Sequence, residues 1–364
     1  MKVAIVGGGT GGHVIPALAI ARELREQYSA EIVFVGTARG IETRLVPQAG
    51  FPLHLVQVGQ LKNVSLIRRA RTLADIPRAL LACRKLFDQF QPQVVIGVGG
   101  YASGPGMLAA ILLRIPTLAF EPNLVPGFAN RMVARFVSAA AVHFEETTRF
   151  FRNAVVTGVP VRQEFFHIPR RLFSPPGSLL VFGGSQGARV LNQTLIDAIP
   201  RWKQLGIQIR HQTGDRDFEK VDSAYKQAGF PAQVSRFIDD MPAAFREADL
   251  VLCRSGASTV GEITAAGKPA IFVPFPFAAD DHQRKNAEAL EKAGAAQLIP
   301  EPELTAERLG AAVSDILRNP AALKQMSAKA ETLSHPQAVR RIGEMVVNLV
   351  TERQRRRDSK SDSL

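Results

Sequence analysis

Residues 7–13 read GGGTGGH and follow the apolar run of residues 3–6. The spacing Gly7-x-Gly9-x-x-Gly12 is typical of dinucleotide-binding turns, in which a strand ends, the chain turns sharply and the N-terminus of a helix faces a phosphate. His13 follows the turn directly, and an imidazole beside an anion site is a candidate general base. The segment predicts an anion site with a proton acceptor next to it; a histidine that only caps the helix is the alternative.

A nicotinamide cofactor is not favoured by the residues after the second predicted strand. NAD binding requires an acidic residue about 20 positions beyond the glycines, at the end of that strand, to bind the ribose. The strand ends in VFVGTARG, which contains no acid. Arg39 leaves NADP as a weak alternative, because a glycine fingerprint alone is not specific.

A second glycine loop, FGGSQGA at residues 182–188, repeats the arrangement in the other half of the chain. Its Gly183-x-Ser185-x-Gly187 also matches the nucleophile elbow of serine hydrolases, with His211 and His282 as the available histidines. That interpretation leaves the first loop unexplained. A phosphate cradle at each loop explains both with one mechanism.

Further polar groups follow other predicted strands. CRSGASTVGEI supplies hydroxyl and backbone donors at the start of a helix, and its Glu262 suits the two hydroxyls of a ribose. VPFPFAADDHQRKNA starts another helix near Asp280 and Asp281, whose carboxylates are typical helix caps. GVGGYASGPG and FEPN end two strands of the first half. Because the C-terminal ends of parallel strands border the ligand crevice, these loops predict a site there.

The elements that must position these groups are short apolar runs alternating with longer amphipathic segments along 364 residues. This alternation is typical of parallel strands buried between helices. The predicted helices include 16–28, 191–199, 286–293 and 306–317, and Pro77 is expected to break or start another. The predicted strands are 3–6, 31–35, 94–97, 117–120, 139–144, 154–157, 179–182, 207–211, 234–237, 250–253, 270–273 and 296–299.

Two glycine loops predict an α/β protein with two doubly wound, Rossmann-like domains. The first domain is expected over residues 1–160 and the second over 161–337. An amphipathic helix over 338–353 is expected to pack back toward the first domain. The basic residues 354–364 are expected to be disordered.

The net charge of +12 lies mainly in the first half, where residues 1–160 hold 17 Lys and Arg against 9 Asp and Glu. Such a surface suits nucleic acid, anionic lipid or a phosphorylated substrate. Residues 62–85 hold seven basic residues against Asp75 alone, with apolar residues at helical spacing. The segment 64–90 is therefore either a helix on a membrane surface or a core helix with a solvated face.

Other classes of protein find little support. Cys83 and Cys253 lie in apolar stretches of different halves, which predicts buried thiols and no metal knuckle. No helix-turn-helix, zinc or single-strand-binding motif accompanies the charge, so nucleic acid is not an expected partner. The N-terminus has no signal-peptide pattern, and no apolar stretch approaches the roughly 20 residues of a membrane span.

Together the motifs resemble those of one family, the bacterial N-acetylglucosaminyltransferases of peptidoglycan synthesis, which have the GT-B fold. Two positions depart from the family's pattern: Pro122 in FEPN, where the family often has HEQN, and Val159 in GVPVR, where it has GNPVR. The matching stretches follow the family's order and are GGTGGH, GGYASGP, GGSQGA, HQTG, FIDDM, CRSGASTVGEI and DHQRKNA.

The resemblance implies an inverting transfer of N-acetylglucosamine from UDP-N-acetylglucosamine to undecaprenyl-pyrophosphoryl-MurNAc-pentapeptide (lipid I), giving lipid II, in a cleft between the domains. It implies no metal and no other cofactor, because helix N-termini and backbone donors stabilise the departing diphosphate. His13 would be the base, and Glu121 is a second catalytic candidate. The implied substrate-binding residues are Thr10, Gly11, Gly12, Asn123, Arg162, Ser185, Ile238, Ala257, Ser258, Thr259, Val260, Gly261, Glu262 and Gln283.

In this assignment the Ile238 backbone contacts the uracil and Glu262 binds the ribose. Ser185 and residues 257–261 bind the diphosphate. The resemblance also implies a peripheral location on the cytoplasmic face of the bacterial plasma (inner) membrane, with segment 64–90 on anionic lipid. The alternative is another GT-B transferase, or a UDP-N-acetylglucosamine epimerase, with a soluble substrate. Such an enzyme needs neither the GGYASGP loop nor the basic segment.

Overall fold

The computed structural model describes residues 1–58, 66–170, 173, 175–184 and 187–361, with the backbone alone at 66–74, 356, 357, 360 and 361. The chain divides into two compact units, each with its own sheet. Unit 1 comprises Met1–Pro160 and Gln337–Leu364, and unit 2 comprises Val161–Pro336.

Strands and helices alternate through both units. The strands β1 to β13 are Lys2–Val6, Glu31–Gly36, Leu53–Leu55, Val94–Gly97, Thr117–Glu121, Ala139–Val142, Ala154–Val156, Ser178–Phe182, Gln208–Gln212, Gln233–Ser235, Leu250–Cys253, Ala270–Phe272 and Ala296–Leu298. The helices α1 to α15 are Gly11–Tyr28, Glu42–Gln48, Leu66–Phe90, Ser103–Leu112, Phe128–Val133, Gln163–Phe166, Arg189–Asp197, Ile199–Leu205, Phe218–Gln227, Met241–Glu247, Ala257–Ala265, His282–Lys292, Ala306–Leu317, Pro320–Thr332 and Ala338–Ser361. Single 3-10 turns occupy Glu145–Phe150, Ala279–Asp281 and Glu301–Glu303.

The sheet of unit 1 is parallel, with the order β3-β2-β1-β4-β5-β6-β7. Alternate residues of each strand point to opposite faces, so the two faces build separate cores. Val3 and Ile5 pack with α1 and α15, while Ala4 and Val6 pack with α3 and α4. Helices on both faces explain why the inner strands are continuous apolar runs.

The sheet of unit 2 is also parallel, with the order β10-β9-β8-β11-β12-β13. Its largest core side chain, Trp202, is fully buried, and the indole N–H donates to the Leu195 carbonyl at 3.0 Å. Leu179 and Val181 of β8 pack in the same cluster. Two parallel sheets covered by helices confirm the predicted doubly wound α/β class.

Most predicted elements are present, with shifted ends. The edge strand β3 was not predicted, because Leu53–Leu55 is short and half exposed and therefore lacks the buried apolar run of an inner strand. Helix α1 starts at Gly11 rather than residue 16, since the glycines of its first turn have low helix propensity. Pro77 does not break α3, which continues through it. Buried contacts of Cys83 and Phe87 after the proline offset the roughly 3 kcal/mol that an interior proline costs.

Those contacts also bear on the two interpretations of segment 64–90, of which residues 64 and 65 and the side chains of residues 66–74 lie outside the described residues. Cys83 and Phe87 are buried in unit 1, and Leu80 and Phe90 pack against the same cluster. The described part of the apolar stripe, from Leu80 to Phe90, is therefore part of the core. The membrane interpretation of the basic residues before it stays a prediction.

The last helix differs from the expected one. Helix α15 runs from Ala338 to Ser361, so residues 354–361, expected to be disordered, are helical in the structure. The segment after Gly343 contains neither glycine nor proline, and its Arg, Glu and Gln residues favour a helix. On the buried side, Ile342, Val346 and Val350 pack into the unit 1 core beside α1.

Candidate functional site

Each sheet has one point where successive strands are added on opposite sides. In unit 1 it lies between β1 and β4, and in unit 2 between β8 and β11. Ligands of open α/β sheets bind beyond the C-terminal strand ends at such a point. In unit 1 the two loops touch there, because the Gly8 N–H donates to the Gly99 carbonyl at 3.1 Å.

His13 lies in the first turn of α1, and its ring orientation is fixed by the glycine loop. Nδ1 is 3.2 Å from the Gly8 carbonyl oxygen and 3.4 Å from the Thr10 hydroxyl. A carbonyl only accepts, so Nδ1 carries a proton, and in the neutral imidazole Nε2 is then the basic nitrogen. Gly99 leaves room for the ring, because a Cβ there would lie 2.9 Å from Nε2. The geometry favours the tautomer that a general base needs.

Thr10, Gly11 and Gly12 form the junction between the glycine loop and α1. Thr10 is extended, and its carbonyl accepts the first helical bonds from the N–H groups of His13 and Val14, at 3.1 Å each. The N–H groups of the first turn have no acceptor inside the helix. This end of α1 therefore has the geometry of the predicted anion site, and anion binding there stays a prediction.

An acidic residue that the sequence analysis missed supports this loop. Glu42 is 1% exposed, at the start of α2. Oε2 accepts from the Gly9 N–H at 2.7 Å, and Oε1 accepts from the Thr37 N–H and hydroxyl at 3.0 and 3.1 Å. The carboxylate is enclosed and engaged by the loop itself, so it is not a ribose-binding acid. NAD binding is therefore still not favoured, although an acid does lie near the glycines.

Glu121 ends β5 and is 2% exposed. Oε1 accepts from the backbone N–H and side-chain amide of Asn123, at 3.0 and 3.1 Å, and Oε2 accepts from the Gly127 N–H and the Asn130 amide, each at 2.9 Å. Burial raises the pKa of Glu121, while these hydrogen bonds lower it. Four donors fill the carboxylate, so its geometry favours shaping the Asn123 loop over accepting a proton from substrate.

Of the two asparagines that donate to this carboxylate, the sequence predicted one as a site residue and not the other. Asn123 was expected to bind substrate, and its side chain is half-buried and oriented by Glu121. Asn130, in α5, was not identified, because an isolated asparagine in a helix carries no recognisable pattern. Pro122 is buried, and Val159 belongs to the core of unit 1. At Val159 the departure from the family pattern therefore adds an apolar core contact.

In unit 2 the loop after β8 is joined to the end of β9 and to Ile238 by one side chain. The Gln212 amide donates to the Gly184 carbonyl at 3.1 Å, and its oxygen accepts from the Ile238 N–H at 2.9 Å. The Ile238 N–H is thus occupied, which leaves the carbonyl as its backbone group for a ligand. Ser185 lies outside the described residues.

The N-terminus of α11 follows β11 at the switch point, after an extended Gly256. The expected site residues of this helix divide into two groups. Ala257, Ser258 and Thr259 provide the N–H groups of the first turn, which lack acceptors inside the helix. Val260 and Gly261 are buried, and the Val260 N–H already donates to Gly256 at 2.9 Å. The first three residues therefore present the N–H groups that an anion at this helix end would meet.

Glu262 lies one turn into α11. Burial raises the pKa of its carboxyl to about 7, and the nearby positive charge of Arg162 acts in the opposite direction. The Arg162 guanidinium is exposed and lies over the Phe165 ring, 5.2 Å from the centroid. A carboxyl with this pKa exists in both protonation states near neutral pH.

Gln283 connects two loops at the same end of the sheet. Its side-chain oxygen accepts from the Phe275 N–H at 2.9 Å, and its carbonyl accepts from the Ser255 hydroxyl at 2.8 Å. The preceding Asp280 and Asp281 both have φ of 56°, in the left-handed region. Asp281 caps α12 by position but makes no side-chain capping bond, so the predicted carboxylate cap is not formed. Such backbone strain is typical of ligand sites.

Both halves of the chain are similar to domains of known proteins. The glycosyltransferase family 28 N-terminal domain matches residues 3–142, and the family 28 C-terminal domain matches residues 178–342. A protein of Solibacter usitatus is 45% identical over 347 residues, covering 94% of both chains. One of Anaeromyxobacter sp. (strain Fw109-5) is 45% identical over 360 residues, 97% of this chain and 94% of its own. Both are named UDP-N-acetylglucosamine--N-acetylmuramyl-(pentapeptide) pyrophosphoryl-undecaprenol N-acetylglucosamine transferase.

Among solved structures, that of Acinetobacter baumannii MurG matches with a TM-score of 0.82 at 34% identity, covering 95% of this chain and 99% of its own. The chain belongs to the MurG family. As a member of the MurG family it is a glycosyltransferase. A putative UDP-N-acetylglucosamine 2-epimerase from Listeria monocytogenes matches with a TM-score of 0.67 but 12% identity over 94% of both chains, which shows a shared fold alone.

Two further findings concern the part of the chain that the structure describes. No helix among them is long and apolar enough to cross a membrane. No group of three or more His, Cys, Asp or Glu in the same part of the chain is arranged to hold a metal ion.

Proposed function

We propose that this chain transfers N-acetylglucosamine from UDP-N-acetylglucosamine to the MurNAc sugar of undecaprenyl-pyrophosphoryl-MurNAc-pentapeptide (lipid I), giving lipid II. The observation that carries the proposal is the 45% identity, over more than nine tenths of both chains, to relatives named for this reaction. The orientation of His13 at the first glycine loop supports it.

The donor nucleotide is assigned mainly to unit 2. The Ile238 carbonyl accepts from the uracil, Glu262 accepts from the ribose hydroxyls, and the N-terminal turn of α11 with Ser185 binds the diphosphate. Gln283 contacts the donor sugar from the loop that it orders. Val260 and Gly261 contribute by packing this turn rather than by direct contact. The family resemblance assigns Asn123, Arg162 and residues 10–12 to the donor as well.

The proposed chemistry follows from where charge develops. The acceptor hydroxyl oxygen attacks the anomeric carbon, the bond from that carbon to the UDP oxygen breaks, and the configuration inverts. His13 Nε2 takes the hydroxyl proton, while the electron pair of the broken bond leaves on the UDP diphosphate. Backbone donors at the start of α11 stabilise that negative charge more strongly in the transition state than in the ground state. Glu121 contributes by holding Asn123 in position.

We infer a peripheral association with the cytoplasmic leaflet, where the polyprenyl acceptor is anchored. The supporting surface lies around α5. Phe128, Met132 and Phe136 recur every four residues and are 44%, 52% and 69% exposed. A cavity of about 310 Å³ beside them is lined by Arg131, Arg135 and Arg149. Exposed apolar side chains close in sequence or in space to arginines suit an anionic lipid surface. We call these six residues the α5 patch.

A transfer assay tests the proposal. Radiolabelled UDP-N-acetylglucosamine and a lipid I analogue are incubated with the protein, and the label is expected to appear in the lipid product. Release of free sugar alone, or formation of the C2 epimer of the donor without an acceptor, would instead favour an enzyme with a soluble substrate. Intact UDP binding without any transfer to the lipid would reject the acceptor assignment while leaving the donor site standing.

A further inference from the structure

Glu42 and His13 contact opposite edges of a single peptide group. The Gly9 N–H donates to Glu42 Oε2 at 2.7 Å, and the Gly8 carbonyl oxygen lies 3.2 Å from His13 Nδ1. That N–H and that carbonyl belong to the same planar peptide bond, whose trans geometry directs them to opposite sides. A carboxylate, a peptide and an imidazole are therefore hydrogen-bonded in series.

The fold makes room for the carboxylate at a specific place. A Cβ on Gly40 would overlap Oε2 of Glu42, a Cβ on Gly36 would lie 2.7 Å from its Cγ, and one on Gly8 would lie 2.5 Å from its Cδ. Three glycines from three segments thus enclose one carboxylate. A buried charge is costly unless its lone pairs are satisfied, and the three donors from Gly9 and Thr37 satisfy them.

The opposite side of the loop is equally restricted. The Gly8 N–H donates to the Gly99 carbonyl at 3.1 Å, and the Gly9 carbonyl accepts from the Ile41 N–H at 3.3 Å. The Gly8–Gly9 peptide has little freedom to rotate as long as Glu42 holds its N–H. A hydrogen bond from a peptide N–H to a carboxylate also polarises the peptide, which strengthens the bond that its carbonyl accepts.

We propose that Glu42 is a positioning residue for the transfer: through the Gly8–Gly9 peptide it fixes the orientation and tautomer of His13. The inference rests on the proposed function, in which His13 Nε2 accepts the proton of the acceptor hydroxyl. Glu42 itself is enclosed and touches no substrate. It acts only through the peptide and the imidazole, in the way that a buried carboxylate orients a catalytic histidine directly in other enzymes.

A double-mutant cycle tests the coupling. Glu42→Gln is expected to lower kcat about 10- to 100-fold, because a catalytic group misplaced by about 1 Å loses that much rate. The Kd for UDP, measured by calorimetry, is expected to change less than kcat, since most of the contacts assigned to the nucleotide lie in unit 2. In a His13→Ala background the same substitution is expected to cost less than about twofold. Additive losses, or full activity of Glu42→Gln, would overturn the proposal.

Two controls separate positioning from general stability. Glu31→Gln makes the same substitution at a surface carboxylate of the same unit, 3.7 Å from Lys2 Nζ, and is expected to retain kcat within about twofold. Should Glu42→Gln fail to fold, Gly40→Ala displaces the carboxylate with all charges retained and is expected to show the same kcat loss. Thr43→Val is its control, because it removes only a hydroxyl bond to the Gly40 carbonyl in the same turn.

Hydrogen exchange gives a readout that does not depend on activity. Peptides covering residues 7–14 are expected to exchange at least about tenfold faster in Glu42→Gln than in the wild type, and unchanged in Glu31→Gln. Unchanged exchange in Glu42→Gln would show that the carboxylate does not hold the loop. If the wild type transferred no sugar, the proposed function would fail. The exchange experiment would still test whether Glu42 restrains the glycine loop.

Discussion

The guanidinium of Arg162 and the carboxyl of Glu262 lie close enough in unit 2 for the arginine to oppose the pKa rise that burial imposes on the glutamate. The carboxyl still reaches a pKa of about 7. Its protonation state therefore changes within the physiological range, at the position assigned to the ribose. This gives donor binding a pH dependence.

We expect UDP affinity to fall as the pH is lowered from 8 to 6. Protonation of the Glu262 carboxylate removes the charged acceptor of the ribose hydroxyls. Hydrogen bonds to a charged group contribute about 1.5–3 kcal/mol. Glu262→Gln is expected to bind UDP about 10- to 100-fold more weakly at pH 8 and to lose the pH dependence. Calorimetric titrations of both proteins at several pH values measure this. An equally steep pH dependence in the variant would assign the titration to another group.

The same carboxyl is expected to reduce the stability of the protein without ligand at high pH. Its folded pKa is raised from 4.5 to about 7, so between these values the folded state binds more protons than the unfolded state. The free energy of unfolding therefore falls as the pH rises through this window. Glu262→Gln is expected to have a higher Tm than the wild type at pH 8, and a smaller difference is expected at pH 5. A lower Tm of the variant at pH 8 would contradict this account.

His13→Ala is expected to lower kcat by about 100- to 10,000-fold at saturating donor and acceptor, the range typical of a lost general base. UDP binding is expected to remain within about twofold. His54→Ala is the matched control, because His54 is an exposed histidine of unit 1 on the edge strand β3. Near-normal turnover of His13→Ala would remove this residue from the chemistry.

Glu121→Gln distinguishes a loop-shaping role from a catalytic one. An amide in place of the carboxylate would turn an NH2 group toward two existing donors, at a cost of about 1–3 kcal/mol for the lost bonds. A lower Tm is therefore expected, with kcat per folded molecule reduced less than in His13→Ala. Glu145→Gln is the control, because Glu145 is an exposed carboxylate of the same unit, in the 3-10 turn Glu145–Phe150. A kcat loss as large as that of His13→Ala at unchanged Tm would identify Glu121 as the base.

Replacing the three arginines of the α5 patch, Arg131, Arg135 and Arg149, by glutamine is expected to weaken sedimentation with phosphatidylglycerol-containing vesicles about 100-fold. Each basic residue near an anionic surface contributes about 1 kcal/mol, and the effect is screened by salt. The control variant removes the same charge from unit 2, at Arg201, Arg308 and Arg318. Equal weakening in both variants would mean that net charge, rather than this surface, binds the vesicles.

The two sheets were predictable because inner strands of a parallel sheet leave a continuous apolar pattern. β3 was not, since an exposed edge strand such as Leu53–Leu55 lacks that pattern. His13 and the α11 turn were found because glycine loops mark strand-to-helix turns. Glu42 was missed because a ribose-binding acid is expected at the end of the second strand, whereas this acid reaches the glycines from the following helix.

The α5 patch was missed for a different reason. Phe128, Met132 and Phe136 have the spacing of a core stripe, and sequence alone does not reveal which side of a helix is covered. In the C-terminal part of α3 a similar pattern belongs to the core, since Cys83 and Phe87 are buried. The tertiary partners of a helix, absent from its local sequence, decide between these two outcomes.

Helix α15 has a consequence for synthesis of the chain. Ile342, Val346 and Val350 belong to the core of unit 1, yet they are translated after all of unit 2. Unit 2 is contiguous in sequence, so its whole core is available once residue 336 has left the ribosome. The first 160 residues lack part of the core on one face of their sheet until α15 has been translated. The half of the protein that is made first is therefore the half that finishes folding last.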